Sequence, residues 1–155
     1  MGDHDHDFGI LLGLAYQRFV DELRAHLAEA GFSGVGGSFG YVLRALDRQA
    51  LTTSQLASRL GITSQGAAKI VDDMVAGGYV ERRPDPGDGR QKQLFLSPRG
   101  EAVLAAARRF HRSFEQDLAA ELGPRRAGTL RAALSSIVER EPGAVDRRTR
   151  LLRPL

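Results

Sequence analysis

Basic side chains crowd one stretch of the chain, residues 79–100, YVERRPDPGDGRQKQLFLSPRG. Arg82, Arg83, Arg90 and Lys92 fall within it, and Asp88 stands two residues before Arg90. Guanidinium forks and an ammonium group at this density are suited to anionic oxygens, above all phosphate. Two β-prone runs, 79–83 and 91–96, flank a tip of Pro84, Asp85, Pro86, Gly87, Asp88 and Gly89. Turn formers between such runs are the sequence form of a β-hairpin. Taken alone, a basic hairpin is equally well a solvated surface feature. The preceding residues decide between the readings.

Those residues, 53–80, read TSQLASRLGITSQGAAKIVDDMVAGGYV. Leu56, Ala57 and Leu60 have the spacing of a short amphipathic helix, for which Thr53 or Ser54 supplies an oxygen-bearing N-cap. Gly61 follows where a helix C-terminus favours a left-handed residue. Thr63 or Ser64 then caps a second helix that buries Ala67, Ile70, Val71, Met74 and Val75. Its other face carries Gln65, Ala68, Lys69, Asp72 and Asp73, and Gly77-Gly78 ends it. Helix, tight turn, helix and basic hairpin together make a winged helix–turn–helix, a unit that sets its second helix in the major groove of DNA.

At this level of detail the chain resembles the MarR-type regulators, dimeric winged-helix repressors of bacteria. The resemblance spans roughly residues 8–140. It is carried by Asp85, Pro86, Asp88 and Arg90, which match a D-P-x-D-x-R wing signature, and by LFLSPRG at 94–100, which is similar to V-x-L-T-x-x-G. The resemblance implies a mainly α fold with a small β-hairpin wing. Residues 8–34 would form an N-terminal dimerisation helix, and 35–97 the DNA-binding domain, with its recognition helix at about 64–76 and wing at about 79–96. Residues 98–140 would form C-terminal dimerisation helices, and 141–155 a basic tail.

The resemblance also implies roles. Arg90 corresponds to a wing-tip arginine that enters the minor groove, where narrow A·T-rich DNA concentrates negative potential. Asp88 would orient its guanidinium. Arg82, Arg83 and Lys92 would serve the DNA backbone or the wing, and Thr53 and Ser54 would meet phosphate or merely cap their helix. Ser64, Gln65 and Lys69 are candidates for base edges, with Gly66 and Ala68 small enough for close approach. Ala68-Lys69 departs from the Ser/Thr-Arg pair common in relatives, which weakens the expectation of tight base readout. A homodimer would set two recognition helices roughly 34 Å apart and select a pseudo-palindromic operator in double-stranded DNA.

Composition is consistent with this. The 155-residue chain carries 22 Lys and Arg against 19 Asp and Glu. Residues 1–50 hold seven carboxylates against four arginines, whereas 81–112 hold eight bases against four acids. Clustered positive charge is the footprint of a phosphate-binding face. No apolar run is long enough to span a bilayer and no secretory leader is evident, so a cytoplasmic, membrane-free protein is expected. With no cysteine, there is no disulfide, thiolate metal site or thiol redox sensor. Neither a P-loop, a Ser–His–Asp set nor zinc-ligand spacing occurs. An enzyme, a cofactor and a resident metal are therefore not expected. A winged-helix module that binds DNA non-specifically, or a protein partner, without effector control is the alternative.

The flanks supply apolar stripes. Residues 8–30 place Leu11, Leu12, Ala15, Phe19, Leu23 and Leu27 on one helical face. Ser97-Pro98 opens a long helix to about Leu122, with Val103, Leu104, Ala107, Phe110, Phe114 and Leu118 apolar. After Gly123-Pro124, another helix to about Arg140 would turn Leu130, Leu134, Ile137 and Val138 inward. These stripes suit either an intrachain bundle or an interlocked dimer. The family resemblance implies a small aromatic or lipophilic effector bound between such helices and the winged domain, for which Tyr16, Phe19, Phe39 and Arg44 are candidates. Gly31–Gly40 reads as a flexible link. His4 and His6 alternate with Asp3, Asp5 and Asp7 at a polar end, and His26 and His111 fall on helices, at solvent or interface positions by default and otherwise pH-sensitive or ligand-facing.

Overall fold

The computed structural model describes residues 7–140. The His/Asp run at its N-terminal edge and the basic tail from residue 141 lie outside the described residues, apart from Asp7. In chain order the elements are α1 (Phe8–Glu29), α2 (Phe39–Arg48), β1 (Leu51–Thr52), α3 (Thr53–Leu60), α4 (Ser64–Ala76), β2 (Val80–Pro84), β3 (Lys92–Leu96), α5 (Pro98–Leu122) and α6 (Pro124–Val138). The chain is mainly helical with a β wing, as the sequence predicts.

Local chemistry explains most boundaries. Thr52 caps α3 in a reciprocal box: its Oγ1 accepts the Gln55 amide at 3.2 Å, and its own amide donates to Gln55 Oε1 at 2.9 Å. The cap thus lies one residue before the expected Thr53 or Ser54, because only Thr52 has the glutamine three residues on. Gly61 takes the left-handed conformation (φ 66°), which returns its amide, and then that of Ile62, to the last turn. Thr63 caps α4 through the Gly66 amide at 3.0 Å, and Ser97 caps α5 through the Gly100 amide at 3.0 Å.

The sheet is antiparallel with β3 in the middle. Leu94 faces Leu51 on one side and Arg82 on the other, and is fully buried. Two elements escaped the sequence reading. β1 is only two residues long and exists through its partner β3. α2 follows the glycine-rich link, yet it buries Phe39, Val42, Leu43, Ala45 and Leu46, a helical spacing that was there to be read.

The core joins α2, α3, α4, the sheet and the first half of α5. Val42, Leu43, Leu56, Leu60, Val71, Met74, Leu94 and Val103 are its most enclosed side chains. The wing base is closely packed onto α5. A Cβ on Gly100 would lie 2.1 Å from the Tyr79 carbonyl oxygen, which also accepts the Ser97 amide at 3.0 Å. Ser97 Oγ donates to the Gly78 carbonyl beside it. Arg99 stacks over Phe32 and Tyr79, and the Tyr79 hydroxyl donates to the Ser33 carbonyl at 3.2 Å.

The terminal helices differ. α6 buries none of its residues, and α1 buries only Leu27. The expected inward stripe of α6 is not buried among the described residues: Leu130, Leu134, Ile137 and Val138 are all exposed. Among the described residues, α6 packs mainly on α5.

Candidate nucleic-acid interface and cleft

α4 presents its first turns to solvent. Ser64, Gln65 and Lys69 are exposed, and Gly66 and Ala68 are half-buried between them. Gly66 lies close under the Thr63 hydroxyl, where a Cβ would meet Oγ1 at 3.1 Å. This end of the helix also directs unsatisfied amides and the positive end of its dipole outward, favourable to anionic groups. Thr53 and Ser54 occupy the first turn of α3, with Thr53 half-buried and Ser54 exposed; relieved of capping, their hydroxyls make no hydrogen bond among the described residues.

The wing is organised by its aspartates. Asp85 Oδ1 accepts the Gly87 and Asp88 amides at 2.7 and 3.3 Å, and its Oδ2 accepts Gln93 Nε2 at 2.7 Å. The Gly87 amide bond, then the Gln93 bond, holds the Asp85 carboxyl below its ordinary pKa. Asp88 does not hold the Arg90 guanidinium, as the sequence suggested. Its Oδ1 instead accepts the Arg90 backbone amide at 3.0 Å, and its Oδ2 lies 3.4 Å from Gln91 Nε2. An Asp reaches the amide two residues on more readily than the far end of a long side chain, which is the Asx-turn geometry. The Arg90 side chain is left exposed at the tip with no partner among the described residues.

The other wing cations are partly engaged. Arg82 pairs with Asp72 of α4, tying the strand to the helix. Arg83 bonds Glu81 at 2.8 Å and lies over the Phe95 ring at 4.7 Å. Lys92 is exposed across the hairpin from Pro84. Ser64, Gln65, Lys69, Arg90 and Lys92 are thus the groups most available to a ligand, whereas Arg82 and Arg83 would first have to exchange carboxylate partners.

Residues of α1, α2, α3 and α5 line a cleft of about 940 Å³, within the range of small-molecule sites. Tyr16, Phe19 and Arg44 line it as expected. Phe39 does not: its ring is buried in the core against Tyr79, centroids 6.1 Å apart. A core position satisfies an aromatic ring more fully than an open cleft would.

The sequence reading missed much of the cleft. Tyr41, Arg48, Arg59 and Arg108 also line it, as does His111, which the sequence left open as ligand-facing or pH-sensitive. Tyr41, Arg44 and Arg48 fall on one face of α2, a spacing that becomes visible only once that helix is recognised. Burial, then hydrogen-bonded Tyr16, pushes the Tyr41 hydroxyl pKa up. Arg44 Nη2 lies 3.3 Å from His111 Nε2. The His111 ring packs on Phe19 at 5.1 Å, within a cluster that includes Phe110 and Phe114. Burial, then the charge of Arg44, lowers the His111 pKa.

Comparison with known proteins is consistent with this geometry. Residues 33–91, from the link through the wing tip, match the sequence profile described as the MarR family. The chain is 37% identical over 65 residues to an uncharacterized protein of Mycobacterium tuberculosis, a match covering 42% of this chain and 46% of that protein; the chain thus spans less than half the length of this relative. It is 26% identical over 139 residues to an uncharacterized HTH-type transcriptional regulator of Mycobacterium leprae, covering 90% of this chain and 96% of the relative. Among solved structures, the transcriptional repressor CouR bound to a 23-mer DNA duplex aligns with a TM-score of 0.69 and 25% identity, over 90% of this chain and 97% of CouR. Residues 33–91 are thus similar to the MarR family, within a fold that the chain shares with CouR.

Proposed function

We propose that the protein is a sequence-specific DNA-binding transcriptional regulator, acting as a dimeric repressor that a small amphipathic effector releases. One observation carries the DNA-binding part: the N-terminal face of α4 and the unpaired Arg90 at the wing tip are both exposed, in a fold that CouR uses on a DNA duplex. Ser64, Gln65 and Lys69 reach the major groove and Arg90 the minor groove. Thr53 and Ser54 meet phosphate.

The exposed apolar faces of α1 and α6 support the dimer. Ile10, Leu11, Leu14, Leu130 and Leu134 are each more than 40% exposed in a single chain. A second copy would cover them and pair two recognition helices on a pseudo-palindromic operator. The cleft supports effector control, since it lies between α1 and the winged domain. An effector acts only by binding the DNA-incompetent arrangement better than the competent one.

Fluorescence anisotropy on the DNA flanking the gene, against scrambled DNA and across a salt series, tests the reading. Preference for the native site, with log affinity falling steeply as log salt rises, is the expected result. Equal binding to both DNAs would replace specific regulation with a non-specific DNA-binding role. Absence of binding at low salt would remove DNA as the partner.

A further inference from the structure

The lining of the cleft is one-sided in charge. Arg24, Arg44, Arg48, Arg59 and Arg108 border it, and among the described residues no Asp or Glu does. Arg108 is bonded to Asp47 at 2.6 Å, and Arg24 approaches Asp21 at 3.8 Å. Arg44, Arg48 and Arg59 make no ion pair among the described residues. The rings of Tyr16, Phe19 and Tyr41 line the same cleft. An anion with an aromatic or apolar body suits both sets of groups.

The Arg44–His111 contact adds a proton to this picture. Arginine only donates, so at 3.3 Å His111 Nε2 must be the acceptor, and the ring is neutral with its hydrogen on Nδ1. A protonated ring would set an N–H against a guanidinium N–H. The two groups can both be cations only if something negative stands between them.

We propose, on the reading that the cleft is the effector site, that it takes up an anionic amphipathic ligand together with one proton, which His111 Nε2 accepts from solvent. The anion draws the Arg44 guanidinium away from the imidazole, and both then donate to it. No bond other than N–H forms. The surrounding groups agree with this assignment. On α5, Arg108 is neutralised by Asp47, and Glu115 favours the protonated ring but is already engaged by Arg131 of α6. α2 contributes Arg44, Arg48 and the Tyr41 hydroxyl, while α1 contributes Tyr16 and, against the Phe110 ring, His26. Without a ligand, burial and Arg44 hold His111 below its ordinary value of 6.5, so it enters binding uncharged at neutral pH.

The sign follows from linkage. Binding raises the His111 value, so affinity strengthens as pH falls through the bound-state value and levels off below the free-state one. The fluorescent aryl sulfonate anilinonaphthalenesulfonate is a suitable probe, because its charge stays constant over this range. Its affinity for the full chain should rise by up to about tenfold per pH unit between these limits. Calorimetry in buffers of different ionisation enthalpy should record uptake of up to one proton. His111→Gln keeps an acceptor for Arg44 but cannot titrate. It should retain the affinity seen at pH 8 and lose the pH dependence.

Arg44→Gln should weaken the probe at every pH. If it does while wild-type binding is independent of pH, the anion site stands and proton uptake falls. A pH dependence that persists in His111→Gln also overturns the proposal, by placing the proton elsewhere. Probe binding that ignores Arg44→Gln overturns both the proposal and the reading of the cleft on which it rests.

Discussion

The winged domain and the terminal helices are built from similar residues and end in opposite conditions. In α3 and α4 every large apolar side chain is at least partly covered, and Leu56, Leu60, Val71 and Met74 are almost wholly enclosed. In α6 the leucines, the isoleucine and the valine all face solvent. The first two turns of α1 repeat the pattern, with Phe8 at 65% exposure. Exposed large apolar side chains in this number are unusual on a chain that works alone. The winged domain is complete in one copy, whereas the terminal helices have a face that is not.

Substitutions can break or sharpen this contrast. The largest effect on folding is expected for Leu56→Ala, which empties a fully enclosed core position. A loss of about 2–5 kcal/mol in urea unfolding is expected, whatever the protein concentration. Gly100→Ala comes next. With its new methyl 2.1 Å from the Tyr79 carbonyl, the wing base must separate from α5. The same unfolding assay should record about 1–3 kcal/mol.

Leu134→Asp tests the other region. At 41% exposure the side chain contributes little to one chain, so monomer stability should change by only about 0.5 kcal/mol. Sedimentation should nevertheless show loss of the dimer, and the concentration dependence of Tm should vanish with it. An unchanged sedimentation profile would mean that the face of α6 is not the interface. Arg90→Ala is expected to leave Tm unmoved and to weaken operator binding about tenfold, with a shallower salt slope. The smallest effect lies in the wing tip. The folded Asp85 value is depressed below 3.8, so its hold on the Gly87 and Asp88 amides is present above that pH and lost as pH falls through the folded value. Amide chemical shifts of Gly87 against pH would record the release, and Asp85→Ala should abolish that titration.

The sequence was most legible where structure is local. The caps at Thr63 and Ser97, the left-handed Gly61 and both strands of the hairpin follow from neighbours within four residues. It was least legible where a partner comes from afar. β1 exists because Leu51 meets Leu94, and the cleft brings Arg44 to His111 across 67 positions. Asp88 shows a subtler limit. Its importance to the tip could be read, but the atom it holds could not, because backbone amide and guanidinium compete for the same carboxylate. α2 follows a run of glycines whose composition signals a link, while its own apolar spacing, Phe39, Val42, Leu43 and Leu46, signals a helix.

One feature of the wing base bears on how a signal could cross the molecule. Gly100 and Ser97 press the hairpin onto the start of α5 with no side chain between them to absorb a shift. Helix α5 has 25 residues, which makes it about 37 Å long, and Val103, Leu104, Ala107, Arg108 and His111 of its first half form one wall of the cleft. It therefore joins the two regions, with the wing held at its N-terminal end and α6 following its C-terminal end. A tilt of about 10° around its middle displaces each end by about 3 Å. A tilt begun at the cleft would therefore move the wing without any contact to it.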